Sequence, residues 1–208
     1  MNQYQPLSSV WYGNDAELLE QVLNFYPRSP PETIVDTTFN KGRFWKGSER
    51  KIISVDIDPQ YNPDFVCNNS DMPFLDSYAD VLIYDPPHLT DCDTQNSSKI
   101  WKDRFGLTSN FKGDNICSTF DPFMKEASRV LKPEGMLFCK ITDGVHNHRF
   151  QWNHIDLIES GKKFGFTACD CIIKARKVSM TSSKWQKAHH ARRYHCYWII
   201  FRKSNRCE

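Results

Sequence analysis

Three short apolar runs in this chain each close on an aspartate: Thr33-Ile34-Val35-Asp36, Lys51-Ile52-Ile53-Ser54-Val55-Asp56 and Ala79-Asp80-Val81-Leu82-Ile83-Tyr84-Asp85. Brief apolar runs bounded by polar punctuation read as buried strands. An acid at the end of such a strand stands where open α/β sheets bind their ligands. The third run differs from the others, because Asp85 is followed by Pro86-Pro87-His88. Proline has a fixed φ and no N–H, so the backbone beside that carboxylate offers acceptors rather than donors. A primary amine brought here could donate both of its hydrogens.

Helical patterns alternate with the strands. Residues 15–26 carry Leu18, Leu19, Val22, Leu23 and Phe25 on one face before Pro27 stops the helix, and residues 122–131 and 152–164 repeat the pattern. Further strands are predicted over residues 64–67, 136–141, 168–174 and 194–201. Strand–helix alternation implies a mostly parallel sheet wrapped on both faces. The last two strands have no helix between them, which predicts an antiparallel edge. A length of 208 residues suits one domain over residues 1–208. Residues 89–118 are polar and irregular, with Trp101, Phe105 and Phe111 spaced through them. They read as an insertion loop of the length that usually serves function.

The net charge of +2 hides an asymmetry. Residues 171–208 hold ten Lys and Arg against the single acid Glu208, so the preceding 170 residues are net acidic. The basic loop over 174–193 includes Lys174, Arg176, Lys177, Lys184, Lys187, Arg192 and Arg193, and the same tail holds Trp185, His189, His190 and Tyr194. Cations mixed with rings that can stack on bases suit a nucleic acid. If the strand before this loop runs parallel to its neighbours, the loop emerges beside Asp36, Asp56 and Asp85. The eight cysteines show no zinc spacing and read as reduced structural thiols. His146, His148 and His154 lack a companion ligand set, so no metal is expected. The N-terminal residues lack a basic-then-apolar signal, and no uncharged apolar run approaches the roughly 18 residues that span a bilayer. The expectation is a soluble cytoplasmic protein with no membrane partner.

Taken together, the strand-end acids and the Asp-Pro-Pro tetrapeptide resemble the S-adenosylmethionine-dependent amino-methyltransferases of nucleic acids, the N6-adenine/N4-cytosine type, in which Asp-Pro-Pro precedes an aromatic residue. The resemblance covers about residues 10–141, in unpermuted motif order. It implies a Rossmann-like class I methyltransferase fold: α/β, with a mostly parallel seven-stranded sheet and an antiparallel C-terminal strand. Asp36-Thr37-Thr38-Phe39-Asn40-Lys41-Gly42 is similar to the family's first motif, with Asn40 in place of a glycine. Asn tolerates the left-handed backbone such a turn needs. By the same resemblance, Asp36 lies near the cofactor's ammonium group and Thr37, Thr38, Asn40 and Gly42 line its methionine part. Asp56, with Ile57 beside it, takes the ribose hydroxyls. Asp71-Met72 reads the adenine edge, and residues 8–14 lie under the cofactor, although a hydrophobic staple explains Trp11 equally well.

The chemistry accounts for the tetrapeptide. An aryl amine is a poor nucleophile because its lone pair is delocalised into the ring. Acceptors at Asp85 and the Pro86 carbonyl, stiffened by Pro87, would take both hydrogens and aim the lone pair at the methyl carbon. His88 stands where the family has an aromatic residue that stacks on an extruded base. The reading taken is methylation of an exocyclic base nitrogen, adenine in DNA. The alternatives are an RNA (rRNA or tRNA) amino-methyltransferase and a nucleic-acid-binding subunit with a degenerate cofactor loop.

Overall fold

In the computed structural model, residues 6–87, 116–146, 149–177 and 190–204 are described. The strands are β1 (Val10–Trp11), β2 (Ile34–Asp36), β3 (Ile53–Asp56), β4 (Phe65–Val66), β5 (Ala79–Tyr84), β6 (Leu131–Ile141), β7 (Gly144–His146), β8 (Arg149–Gln151), β9 (Phe166–Ala175) and β10 (His195–Lys203). Eight of them form one sheet, the spine of the molecule, in the order β1-β9-β10-β6-β5-β2-β3-β4. A separate hairpin pairs β7 with β8. The helices α1 (Asp15–Phe25), α2 (Phe120–Val130) and α3 (Asn153–Lys163) lie where the apolar periodicity predicts them.

Alternation along the central strands divides the core into two layers. Leu82, Tyr84, Leu137 and Cys139 pack with Phe123, Met124, Ala127 and Leu157 of α2 and α3. Val81, Ile83, Met136 and Phe138 face the other way, onto Leu18, Leu19, Val22 and Leu23 of α1. Successive strand residues point to opposite faces, so one run of apolar residues supplies both layers.

Strands β2, β3, β4, β5 and β6 are parallel, and β10 runs antiparallel between β6 and β9. This corrects two expectations. The antiparallel strand is interior rather than at the edge, because Trp198, Ile199, Ile200 and Phe201 are all fully buried and need cover on both faces. The sheet gains an eighth strand because Val10 and Trp11 pair in parallel with Ile173 and Lys174 of β9. Residues 132–135, between the predicted helix and strand, form an irregularity within β6, with Glu134 at φ 62° and the register shifting between Ala79 and Val81. Since β9 is parallel to β6, its end at Ala175 lies at the same sheet edge as Asp36, Asp56 and Asp85. All six described cysteines are free thiols. Among the described residues no helix is long and apolar enough to cross a membrane.

Candidate active site

The loop after β2 is built by its own polar groups. Asp36 is 1% exposed; one oxygen accepts the Thr38 N–H at 3.1 Å and the other the Trp45 indole N–H at 2.7 Å. Thr37 donates both its N–H and its hydroxyl to the Ile83 carbonyl, tying the loop to β5. Asn40 has φ 48°, the left-handed backbone foreseen for it, and its N–H reaches Asp56 Oδ2 at 2.6 Å. Gly42 has φ 59°, a left-handed backbone that glycine adopts without strain, and a Cβ there would stand 2.7 Å from the tip of the Phe39 ring, which would have to shift.

Asp56 thus has one oxygen on Asn40 N–H and the other on Asp58 N–H at 2.9 Å. Each carboxylate oxygen has two acceptor sites, which leaves capacity for hydroxyl donors. Ile57 next to it is 50% exposed, an apolar shelf at the strand end.

Asp85 is fixed from two directions. The Asp85 N–H donates to Thr38 Oγ1 at 2.7 Å, which locks it to the loop after β2. Its Oδ2 lies 3.2 Å from Lys140 Nζ. Lys140 also lies 3.2 Å from Asp15 Oδ2 and sits over the Phe44 ring, 5.1 Å from its centroid. Asp15 accepts the Trp198 indole N–H at 3.2 Å and faces Lys174 Nζ at 3.6 Å. Lys140 and Lys174 are only 7% and 8% exposed. Neither Lys140 nor Asp15 was assigned a role from the sequence. The available signal was a cation inside the apolar run Leu137-Phe138-Cys139-Lys140-Ile141, since a buried charge requires a partner.

Burial has electrostatic consequences here. Desolvation pushes the Asp36 carboxyl up to about 7; the Trp45 and Thr38 donors oppose this, and the nearby Asp85 and Asp56 charges add to it. Desolvation works to lower Lys140, but the Asp85 and Asp15 carboxylates outweigh it and hold the ammonium above the ordinary lysine range.

Asp36, expected near an ammonium group, is 1% exposed and its carboxylate ties the loop together through the Thr38 and Trp45 donors. Two expected assignments change. Met72 is 3% exposed in the core, and its N–H is taken by Glu126 Oε1 at 2.8 Å, leaving only exposed Asp71 to face a base edge. Lys174 is turned inward onto Asp15 and has no exposed ammonium to offer a phosphate. Of the other expected cations, Lys177 and Arg192 are exposed, whereas Arg176 and Arg193 are half-buried. Pro86 is buried and Pro87 half-buried. His88, most of the insertion loop, and Lys184, Trp185 and Lys187 lie outside the described residues.

The same sheet edge carries rings that the sequence reading did not connect. Phe150 of β8 meets Trp152 edge-on at 4.7 Å and approaches His190 at 6.2 Å, and Trp152 is 55% exposed. His154 stacks on Tyr197 at 4.2 Å while its Nδ1 lies 2.7 Å from Asp143. Arg149 is exposed beside them on the hairpin. A cleft between α2 and α3 is lined by Cys117, Asp121, Asp156 and Lys163, with Asp121 bonded to Ser160 and Lys163.

No protein-family model matches the sequence, and no curated protein matches it. Solved structures do resemble the fold. A SAM-dependent methyltransferase from Methanosarcina mazei superposes with a TM-score of 0.56 at 13% identity, over 88% of this chain and 97% of the other. The Burkholderia thailandensis 1,6-didemethyltoxoflavin-N1-methyltransferase, solved with that compound and S-adenosylhomocysteine, gives 0.52 at 12% identity, over 92% and 79%. A protein provisionally assigned as a DNA modification methylase from Thermus thermophilus gives 0.43 at 18% identity; 65% of this chain matches, and it spans about half (49%) of that one's length. The chain has the Rossmann-like class I methyltransferase fold, with the mostly parallel sheet and one inserted antiparallel strand.

Proposed function

We propose that the protein transfers a methyl group from S-adenosylmethionine to an exocyclic amino nitrogen of a nucleobase, adenine in DNA. The observation that carries this is the double fixing of Asp85, by Thr38 through its N–H and by Lys140 through its carboxylate, at the end of β5 and ahead of two prolines. A carboxylate held this way is a preorganised acceptor, suited to an amine whose lone pair must be freed for attack.

The residues fit the cofactor at its nucleoside end. Asp56 has acceptor capacity for the two ribose hydroxyls, Ile57 offers an apolar face for the adenine, and Asp71 is exposed to meet its amino group. The loop 37–42 would follow the methionine part. When bound, the cofactor supplies an electrophilic methyl on a sulfonium. The chain's own contribution is to accept the amine hydrogens at Asp85 and the Pro86 carbonyl and to keep the nitrogen facing that methyl. No covalent bond to the enzyme is needed.

Support for a nucleic acid comes from exposed Lys177, Arg192 and Arg149 around Trp152 and Tyr194 at the edge where Asp85 lies. The Burkholderia enzyme's ligand is a small molecule, so polymer and small amine must be separated directly. Labelled methyl transfer to matched DNA and RNA pools, followed by nucleoside mass spectrometry, is the deciding experiment. N6-methyladenine in the DNA pool is expected. Label only in RNA would give the rRNA or tRNA alternative, and no label in either pool would overturn the nucleobase reading. Asp85→Ala is expected to abolish transfer while leaving cofactor affinity within about threefold by calorimetry; loss of both together would remove Asp85 from the role.

A further inference from the structure

We propose that Lys140 is a positioning residue for Asp85, holding the carboxylate ionised and in one orientation so that it can only accept the amine hydrogens. This rests on the amino-methyltransferase reading above. The backbone puts the two residues side by side: Tyr84 pairs with Cys139 across β5 and β6, so the next residue on each strand falls level. Lys140 shares the face of Met136 and Phe138, the α1 side, and so does Asp15.

The arrangement costs more than an apolar packing would. Two ammonium groups and two carboxylates alternate as Asp85, Lys140, Asp15 and Lys174, with both lysines nine-tenths buried. Replacing such a cluster by hydrophobic residues is commonly neutral or stabilising, so fold stability alone gives little reason for it. Its geometry serves Asp85 instead. The Lys140 ammonium is itself held in place by Asp15, by the Phe44 ring and by the wall of Trp198, so it presents a fixed charge to Oδ2.

Without that charge, Asp85 would sit half-buried close to Asp36, and desolvation favours the protonated acid. A protonated Asp85 would donate where it must accept. The groups facing Lys140 are Asp85 after β5, Asp15 on α1 and Cys196 on β10, with Lys174 on β9 beyond Asp15 and Arg176 against Cys196. Only Asp85 and Asp15 are carboxylates, and both hold Lys140 protonated. It is therefore a donor to Asp85 and not the base that removes a proton.

The test compares Lys140→Met and Lys140→Arg with the unmodified chain. Lys140→Gln is added so that charge removal is tested even where the apolar side chain prevents folding. Two readouts are used. In methyl transfer to the nucleic-acid pool, Lys140→Met or Lys140→Gln is expected to lower kcat about 100-fold at neutral pH and move the acid limb of its pH profile up by roughly one unit or more. Lys140→Arg should keep that limb in place, and cofactor Kd should change little in all three. In carbon-13 NMR of the labelled Asp carboxyls, with Asp85→Asn assigning the signal, the Asp85 titration should rise by a similar amount in the charge-free variants. An acid limb and an Asp85 titration unchanged in those variants would overturn the proposal. If the unmodified chain methylates neither pool, the nucleobase reading fails, and the NMR titration still decides whether Lys140 controls Asp85.

Discussion

Asp36 shows how a residue's place can be read from sequence while its contacts cannot. An acid at the end of the first parallel strand was visible in the sequence, but the indole that closes over it comes from Trp45, nine residues later, and no pattern announces that contact. Its carboxyl, pushed up to about 7 by burial against an ordinary 3.8, makes a pH prediction. An acid with a raised folded pKa favours folding while it is protonated in both states, below about 4, and that contribution is lost as pH rises through about 7. Asp36→Asn should therefore flatten the decline in denaturant stability between those pH values, a difference on the order of a few kcal/mol. A decline of equal size in the variant would show that the carboxyl is not the cause.

Among the elements, α2 carries more than its amphipathic face suggests. Arg129 near its end donates to Glu126 and Asp76 and to the carbonyls of Met72 and Phe74, clamping the segment that contains Asp71. Glu126 in turn accepts the Met72 N–H. Arg129→Met should destabilise the fold by about 2 kcal/mol, measured as a lower denaturant midpoint with an unchanged slope, because the largely buried Glu126 loses its partner. Cofactor affinity should fall with it if Asp71 belongs to the site. The helix itself was legible from Phe123, Ala127 and Val130, whereas its hold on residues 71–76 depends on pairings between residues more than fifty positions apart.

For the whole molecule, the charge asymmetry of the sequence becomes a spatial one. The cations after β9 emerge at the edge that holds Asp85, and the β7–β8 hairpin adds Arg149, Phe150 and Trp152 to the same edge. Replacing Arg149, Lys177 and Arg192 with Gln should weaken nucleic-acid binding and shrink the slope of log affinity against log salt by roughly one unit for each phosphate no longer neutralised. An unchanged slope would mean that these cations only solvate the surface. The hairpin went unforeseen because three-residue strands fall below what alternation can signal. Likewise, β1 has two residues and exists only because β9 offers an edge to pair with.

By itself the sequence determined the alternation of helices and parallel strands, the two-layer core and the acids at the strand ends. Each of these follows from local periodicity and from where apolar runs stop. It also marked Asp85 and its prolines, because their chemistry is written in adjacent residues. Tertiary structure alone decided that β10 slots inside the sheet, that Met72 and Lys174 turn inward, and that Lys140 reaches both Asp85 and Asp15. Those outcomes depend on which distant side chains meet once the sheet is assembled, and a buried charge chooses its partner only there.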